Sequence, residues 1–282
     1  VKITFFGTRG SCPCSGNDYQ TFGGNTSCVL VEVGDEVPVI LDGGTGLRAL
    51  GSWLKPRLAE RGIPLHARLL LTHLHYDHIL GLPFFSPLED PGATLEIYGP
   101  QVGESSIGSM IQRAVTPPFF PVEMKSFRGE VQMHGLVEGP FKLGEVEALA
   151  RWVPHTGETM GFRLEARGKV LAYIPDHQAP ANRSEVAASV LELCQGADVL
   201  IHDAQYDDEE FARKSDWGHS TVAYAVHVAV MSKVKTLVLF HHDPSHDDER
   251  LLELERAASE LAAAQGDLRV IAAREGMSLD LP

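Results

Sequence analysis

The densest chemistry in the sequence lies at Thr72-His73-Leu74-His75-Tyr76-Asp77-His78. Three imidazoles and a carboxylate fall there in a few residues, after a short strand expected over Arg68 to Leu71 and before the apolar turn Ile79-Leu80-Gly81-Leu82. Residues two apart on an extended chain point to the same side. His73 and His75 can therefore offer ring nitrogens to one cation. A turn after them would let Asp77 and His78 serve a second cation close by. Mixed imidazole and carboxylate donors suit Zn²⁺ and other borderline divalent metals. A surface loop with incidental histidines is a poor alternative for such a cluster at a strand end.

Something must hold that loop. Lys2 to Gly7, Cys28 to Val33 and Val37 to Leu41 read as strands. Thr45 to Arg61 carries Leu47, Leu50, Leu54 and Leu58 at helical spacing, with Gly62 as its stop and Pro56 expected to kink or split it. The region from Pro87 to Glu130 is rich in Pro and Gly and reads as loops with one short helix near Ser105 to Ala114. Short β-like segments follow at Val131 to Val137, Phe141 to Leu143, Val146 to Val153, Gly161 to Ala166 and Val170 to Ile174. The last third alternates: helix Ser184 to Cys194, strand Val199 to His202, helix Thr221 to Met231, strand Leu237 to Phe240, helix Asp247 to Ala264, strand Val270 to Ala272. Two mixed stretches joined through a β-rich middle imply an α/β fold. Two sheets would pack face to face with helices outside, a four-layer αββα sandwich forming a single domain over residues 1–282.

Composition narrows the function classes. The chain has 282 residues, 44% hydrophobic and 22% charged, so it can build a sizeable core and is not expected to be disordered. No apolar run approaches the roughly 18 residues of a membrane span. The first ten residues read as a strand rather than a signal peptide. Four cysteines, at 12, 14, 28 and 194, are too few for a disulfide scaffold, so a reducing cytoplasm is the expected location. Cys12-Pro13-Cys14 is read as loop packing, without the paired thiol motifs of a structural zinc. Net charge is −14, from 24 basic and 38 acidic residues, which disfavours a nucleic-acid polymer as partner. It leaves room for a small anionic substrate drawn to a locally positive metal site.

The motif His73-x-His75-x-Asp77-His78 resembles the signature of the metallo-β-lactamase superfamily, whose fold is the sandwich just described. Further segments match that family in order. Asp42-Gly43-Gly44-Thr45-Gly46 resembles its Asp-containing turn, with Asp42 expected to orient the His loop rather than bind metal. His155, Asp176 and His241 resemble its third His ligand, its bridging carboxylate and its last His. His241 and His242 compete for that last place, and the apolar run before His241 favours it. His177 is read as a neighbour only, and His66, His134, His227 and His246 as ordinary. The resemblance implies two divalent metal ions, zinc in first place with manganese or iron able to replace it. His73, His75 and His155 would hold one ion, Asp77, His78 and His241 the other, and Asp176 would bridge. A bridging hydroxide would be the nucleophile.

Asp198 to Tyr206 followed by Trp217-Gly218-His219-Ser220-Thr221 is similar to the phosphodiesterase branch that includes ribonuclease Z. Carried over, His219 contacts or protonates the leaving oxygen and Asp203 holds its ring, so Asp77, Asp203 and His219 are the expected catalytic residues. Ribonuclease Z typically has Glu where Asp203 stands, a departure that shortens the pairing side chain. Gly7-Thr8-Arg9-Gly10-Ser11 also resembles that branch's first loop and places Arg9 near the site mouth. The implied activity is a dinuclear metal-dependent hydrolase cleaving a small phosphodiester such as a cyclic nucleotide. Alternatives are a transfer-RNA 3′-end endonuclease of the ribonuclease Z type, or a lactone, thioester or amide hydrolase on the same fold. No basic RNA-gripping insertion is present to favour the endonuclease. A homodimer is compatible with all three.

Overall fold

A computed structural model of the chain describes residues 1–101, 103 and 105–282. The first sheet is built from β1 (Lys2–Gly7), β2 (Cys28–Glu32), β3 (Val39–Leu41), β4 (His66–Leu70), β5 (Thr94–Pro100) and β6 (Glu130–Leu136). The second contains β7 (Gly139–Leu143), β8 (Val146–Val153), β9 (Thr159–Ala166), β10 (Lys169–Ile174), β11 (Val199–Asp203), β12 (Thr236–Phe240) and β13 (Arg269–Ala272). The last strand, β14 (Ser278–Asp280), returns to pair with β1. The orders are β14-β1-β2-β3-β4-β5-β6 and β13-β12-β11-β10-β9-β8-β7. Strands β3 to β6 run parallel to one another, and so do β10 to β13.

Helices cover both outer faces: α1 (Gly46–Arg61), α2 (Tyr76–Ile79), α3 (Ile107–Ala114), α4 (Ala188–Cys194), α5 (Asp208–Lys214), α6 (Val222–Met231) and α7 (Asp248–Ala263). Strand alternation divides the apolar side chains. Phe5, Val29, Leu41 and Leu70 of the first sheet meet Phe162, Tyr173, Ile201 and Phe240 of the second between the sheets. Ile40, Leu69 and Ile97 face outward onto Leu47, Leu50 and Leu54 of α1 and their neighbours. Leu200, Leu237 and Leu239 face outward onto α4, α6 and α7. Each fully buried Leu, Ile or Phe contributes about 1.5–3 kcal/mol of transfer free energy, and these three layers hold the fold. The expected αββα sandwich is the observed one. Among the described residues no helix is long and apolar enough to cross a membrane.

Five details differ from the sequence reading. Residues 94–100 form a strand inside the segment expected to be loops. Leu95 and Ile97 are alternate buried residues there, facing the helix layer, between flanking Pro and Gly that mask the pattern. Pro56 does not split α1, because it sits on the exposed side, where the unpaired carbonyl one turn back faces water. The helix expected from Ser184 begins at Ala188. Asn182 instead accepts from the backbone and hydroxyl of Ser184 and folds that stretch into a turn. Helix α5 and strand β14 were not anticipated. The capping box of Asp207 and Glu210 starts α5.

Candidate metal centre

Parallel strands place their carboxyl ends at one edge of a sheet, where side chains can converge beyond the backbone. Here both sheets do so. Asp42 follows β3, His73 to His78 follow β4, Asp176 follows β10, Asp203 ends β11 and His241 follows β12. His155 follows β8, which runs the same way as β10 because both are antiparallel to β9. The chain after β4 turns at His75, which caps α2 in an extended conformation and puts Asp77 and His78 into the first helical turn. His241 has φ 60°, a left-handed kink that swings its ring away from the strand direction. Gly10 lies against that ring, and a Cβ there would sit 2.2 Å from His241 Nδ1.

The convergence is tight. The nearest donor atoms of His73, His75 and His155 lie within 4.8 Å of one another, as do those of Asp77, His78 and His241. His155 Nε2 is 3.4 Å from His75 Nδ1. Asp77 Oδ2 is 3.1 Å from His241 Nε2 and 3.4 Å from His78 Nε2. Asp176 stands between the two groups: Oδ2 is 3.1 Å from His78 Nε2, and Oδ1 is 3.2 Å from His241 Nε2, 3.8 Å from His155 Nε2 and 3.9 Å from His73 Nε2. Ligands at about 2.0–2.2 Å from a common tetrahedral ion lie about 3.3–3.6 Å apart, and the donor separations here, 3.1 to 3.9 Å, bracket that spacing. Nε2 of His73 and of His78 and Oδ2 of Asp176 are buried without a hydrogen-bond partner. A divalent cation would satisfy all three.

The surroundings orient each ring. His78 Nδ1 donates to Asp42 Oδ2 at 2.8 Å, and His155 Nδ1 donates to the carbonyl of Gly218 at 2.6 Å. His241 Nδ1 donates to Gln205 Oε1 at 2.8 Å. The Gln205 amide is fixed because its nitrogen is directed at the acceptor Asp243 Oδ2, 3.3 Å away. His73 Nδ1 donates to Thr72 Oγ1 at 3.0 Å, and that hydroxyl donates to Asp42. With Nδ1 used as a donor, Nε2 of all four rings faces inward as the atom left to bind a cation. Asp42 is further held by the Thr72 N–H and by Tyr173 Oη at 2.9 Å.

The buried charges of the cluster are set by one another. Burial holds His73 well below the usual histidine range, His78 beside it adding to the effect, and burial likewise lowers His75 and His155. Burial opposes charge on His78 and His241 as well. Asp176 and Asp77 nonetheless hold His78 well above its ordinary value and raise His241 to about 9. Burial would raise Asp77 and Asp176, but the facing imidazoles keep both below the usual carboxylate range. In the bare chain, protons on His78 and His241 balance the carboxylates.

His219 sits on the lip, its ring stacked on His241 with centroids 4.8 Å apart. Its Nδ1 bonds Asp203 Oδ2 at 2.8 Å, so the shorter Asp does reach it. Asp203 is fixed in turn by the N–H groups of His177 and Gln205, both at 3.0 Å. The cleft in front has a volume of about 620 Å³ and is lined by His75, Asp77, His155, Asp176, His219 and further residues from both halves.

A family model described as a β-lactamase superfamily domain matches residues 38–242, well over half of the chain. The chain belongs to that superfamily. Ribonuclease Z of Methanopyrus kandleri is 28% identical over 303 aligned residues, covering 98% of this chain and 96% of the relative. The fold is shared with the metallo-β-lactamase fold protein YhfI from Bacillus subtilis at TM-score 0.71, 18% identity and 99% and 98% coverage of the two chains. It is also shared with the short form of human tRNase Z at TM-score 0.67, 21% identity and full coverage of both. Within the superfamily the resemblance lies with the ribonuclease Z-like branch, and the chain is a metal-dependent hydrolase. The superfamily fold implies divalent metal binding, and the His and Asp cluster offers the place for it.

All seven expected ligands, together with Asp203 and His219, are brought into one cluster, of which His75, Asp77, His155, Asp176 and His219 line the cleft. His242 is not: its Nε2 donates to the Ala273 carbonyl. Arg9 is not at the mouth either. It is fully buried and binds the carbonyls of Gly23, Asp243 and His246, so Ser11 lines the cleft in its place. Four contributors escaped the sequence reading: Gln205, the Gly218 carbonyl, Tyr173, and the Ser11 N–H that donates to Asp77 Oδ2 at 2.7 Å. His177, read as a neighbour, holds Asp203 through its backbone. Relatives that are ribonucleases Z lend no support to the charge-based expectation against nucleic-acid polymers.

Proposed function

We propose that the chain is a phosphodiesterase with a two-metal centre, acting on a small anionic diester such as a cyclic nucleotide. The observation that carries this reading is the His219–Asp203 pair, 2.8 Å apart, on the lip of a seven-ligand cluster. His73, His75 and His155 would hold one divalent ion, Asp77, His78 and His241 the second, with Asp176 shared. Imidazole and carboxylate donors favour zinc, and manganese or iron fits the same set. When bound, two such ions supply Lewis-acid charge and a nucleophile at neutral pH. Asp42, Gln205 and the Gly218 carbonyl keep the imidazoles in the ligating tautomer. Asp203 holds Nδ1 of His219, which leaves Nε2 for the cleft. From there it can give a proton to the departing oxygen of a diester, a poor leaving group without one. Ligands come from both sheets, so the working unit is the whole of residues 1–282. The four cysteines are free, which fits a reducing compartment such as the cytoplasm.

A second reading, a ribonuclease Z-type endonuclease on transfer-RNA precursors, is favoured by the ribonuclease Z relatives. The net charge of −14 favours the small substrate. Metal-loaded protein tested on bis-p-nitrophenyl phosphate, a 2′,3′-cyclic nucleotide, precursor tRNA, a lactone and a β-lactam separates them. Diester cleavage with the small substrates ahead is expected. Preferred cleavage of precursor tRNA at its 3′ end would favour the second reading. Turnover of the lactone or β-lactam alone would overturn both.

A further inference from the structure

Two large aromatic rings stand at the mouth of the metal cleft in contact with water. Tyr76 is 68% exposed and Trp217 59% exposed, and both line the cleft. One comes from each half of the sandwich: Tyr76 opens α2 after β4, and Trp217 lies between α5 and α6 of the second sheet's side. Aromatic surface left in water beside a charged site marks a binding surface rather than a contribution to folding.

Neither ring is on a free loop. Tyr76 lies between His75 and Asp77, whose side chains point into the centre. Trp217 precedes Gly218, whose carbonyl holds the His155 ring and whose N–H donates to Gln178 Oε1 at 2.7 Å. Gly218 has φ +96°, and a Cβ on it would meet the His155 ring at 2.7 Å, so the backbone beside Trp217 is wedged against a ligand. The Trp217 backbone N–H donates to the Lys214 carbonyl at 3.0 Å. The Lys214 ammonium lies 5.5 Å from the Trp217 ring centroid, 4.7 Å from that of Tyr206 and 3.3 Å from Asp243 Oδ2. That cation–π contact and ion pair steady the indole at the cleft wall. Rings placed by the same backbone that places the ligands lose little freedom when a substrate arrives.

We propose that Tyr76 and Trp217 form an aromatic rim that stacks on a planar base of the substrate, making the preferred diester a nucleoside one. The proposal rests on the phosphodiesterase reading for its phosphate end. Indole and phenol faces accept any base, because every base has a π-face. A cleft of about 620 Å³ is of the size that holds a compact ligand. Lys214 is the cationic side chain of its lining, and no extended basic stripe accompanies it. These features favour one nucleotide over a long polyanion.

Calorimetric titration of the metal-loaded protein with thymidine 5′-monophosphate and with methyl phosphate tests this without turnover. The nucleotide should bind about 5- to 150-fold more tightly, the span associated with stacking one base. That ratio should fall below about twofold in a Trp217→Ala, Tyr76→Ala double variant with unchanged metal content, and most of it should survive in Trp217→Phe, Tyr76→Phe. Equal wild-type affinities, or a ratio untouched in the alanine variant, would overturn the proposal. A dimer in sedimentation that the alanine variant breaks, with the ratio intact, would overturn it too and make the rim a contact between copies. Failure of the phosphodiesterase reading looks different: no diester is hydrolysed while the nucleotide preference stands.

Discussion

Replacing His219 and Asp203 separately distinguishes proton donation from scaffolding. His219→Ala removes an imidazole that lines the cleft without being a member of the two ligand triads. If that nitrogen protonates the leaving oxygen, kcat on a 2′,3′-cyclic nucleotide should fall about 10²- to 10⁴-fold. Asp203→Ala removes one hydrogen bond to a group that is charged when it acts. Such a bond contributes about 1.5–3 kcal/mol, so a loss of roughly 10- to 150-fold is expected. Stability should move the other way round. Asp203 accepts the buried N–H groups of His177 and Gln205, and leaving both unpaired costs about 1–3 kcal/mol each. Asp203→Ala should therefore melt on the order of 5–20 °C lower, whereas His219→Ala keeps both of those bonds. The assay is initial rate on the cyclic nucleotide and on bis-p-nitrophenyl phosphate, with metal content measured in parallel. p-Nitrophenolate needs no proton to leave, so both losses should shrink on the second substrate. Equal losses on the two substrates would refute proton donation. No loss on either would remove the pair from the reaction.

Two further outcomes follow from the same geometry. Gln205→Leu takes away the acceptor of His241 Nδ1 and should weaken metal binding at that end of the centre about 10- to 100-fold, read by chelator competition; unchanged affinity would mean that the ring is held by other contacts. Acid should empty the centre in order. Burial lowers His73, His75 and His155 and so favours their neutral, ligating form, but His78 and His241 must each give up a proton to ligate, His241 from a value of about 9. Metal affinity on the Asp77, His78 and His241 side should thus rise with pH up to about 9 and be lost first as pH falls, with about two protons released on loading. Calorimetry in buffers of different ionisation enthalpy counts them, and no buffer dependence would contradict the assignment.

The ligand loop was legible because its chemistry is local: four donors after a strand leave few other uses for that spacing. His155, Asp176 and His241 are single residues at strand ends, and only their order along the chain linked them to the loop. The sandwich followed from periodicity, but β5 was hidden because Leu95 and Ile97 alternate over too short a stretch between Pro and Gly. The Asp207–Glu210 capping box was a readable start signal for α5 that the acidic run obscured. Gln205, Tyr173 and the Gly218 carbonyl had no local sign. Gln205 meets His241 36 residues away, Gly218 meets His155 63 away, and Tyr173 meets Asp42 131 away. The first two arise when strands distant in sequence assemble within the second sheet's half, and the third, from β10 to the end of β3, needs the two sheets to face each other. The resemblance of the Gly7 to Ser11 loop placed Arg9 near the mouth, but a loop match does not say which way a side chain turns, and here Arg9 gathers three backbone carbonyls in the interior.

Elemental analysis of the purified chain and of Asp176→Ala tests the central claim most directly. Asp176 reaches both triads, with Oδ2 3.1 Å from His78 and Oδ1 3.8 Å from His155, so one substitution weakens both positions. About two divalent ions per wild-type chain and the loss of at least one in the variant are expected. Full metal content in Asp176→Ala, or a fully active wild-type chain with a single ion, would contradict it.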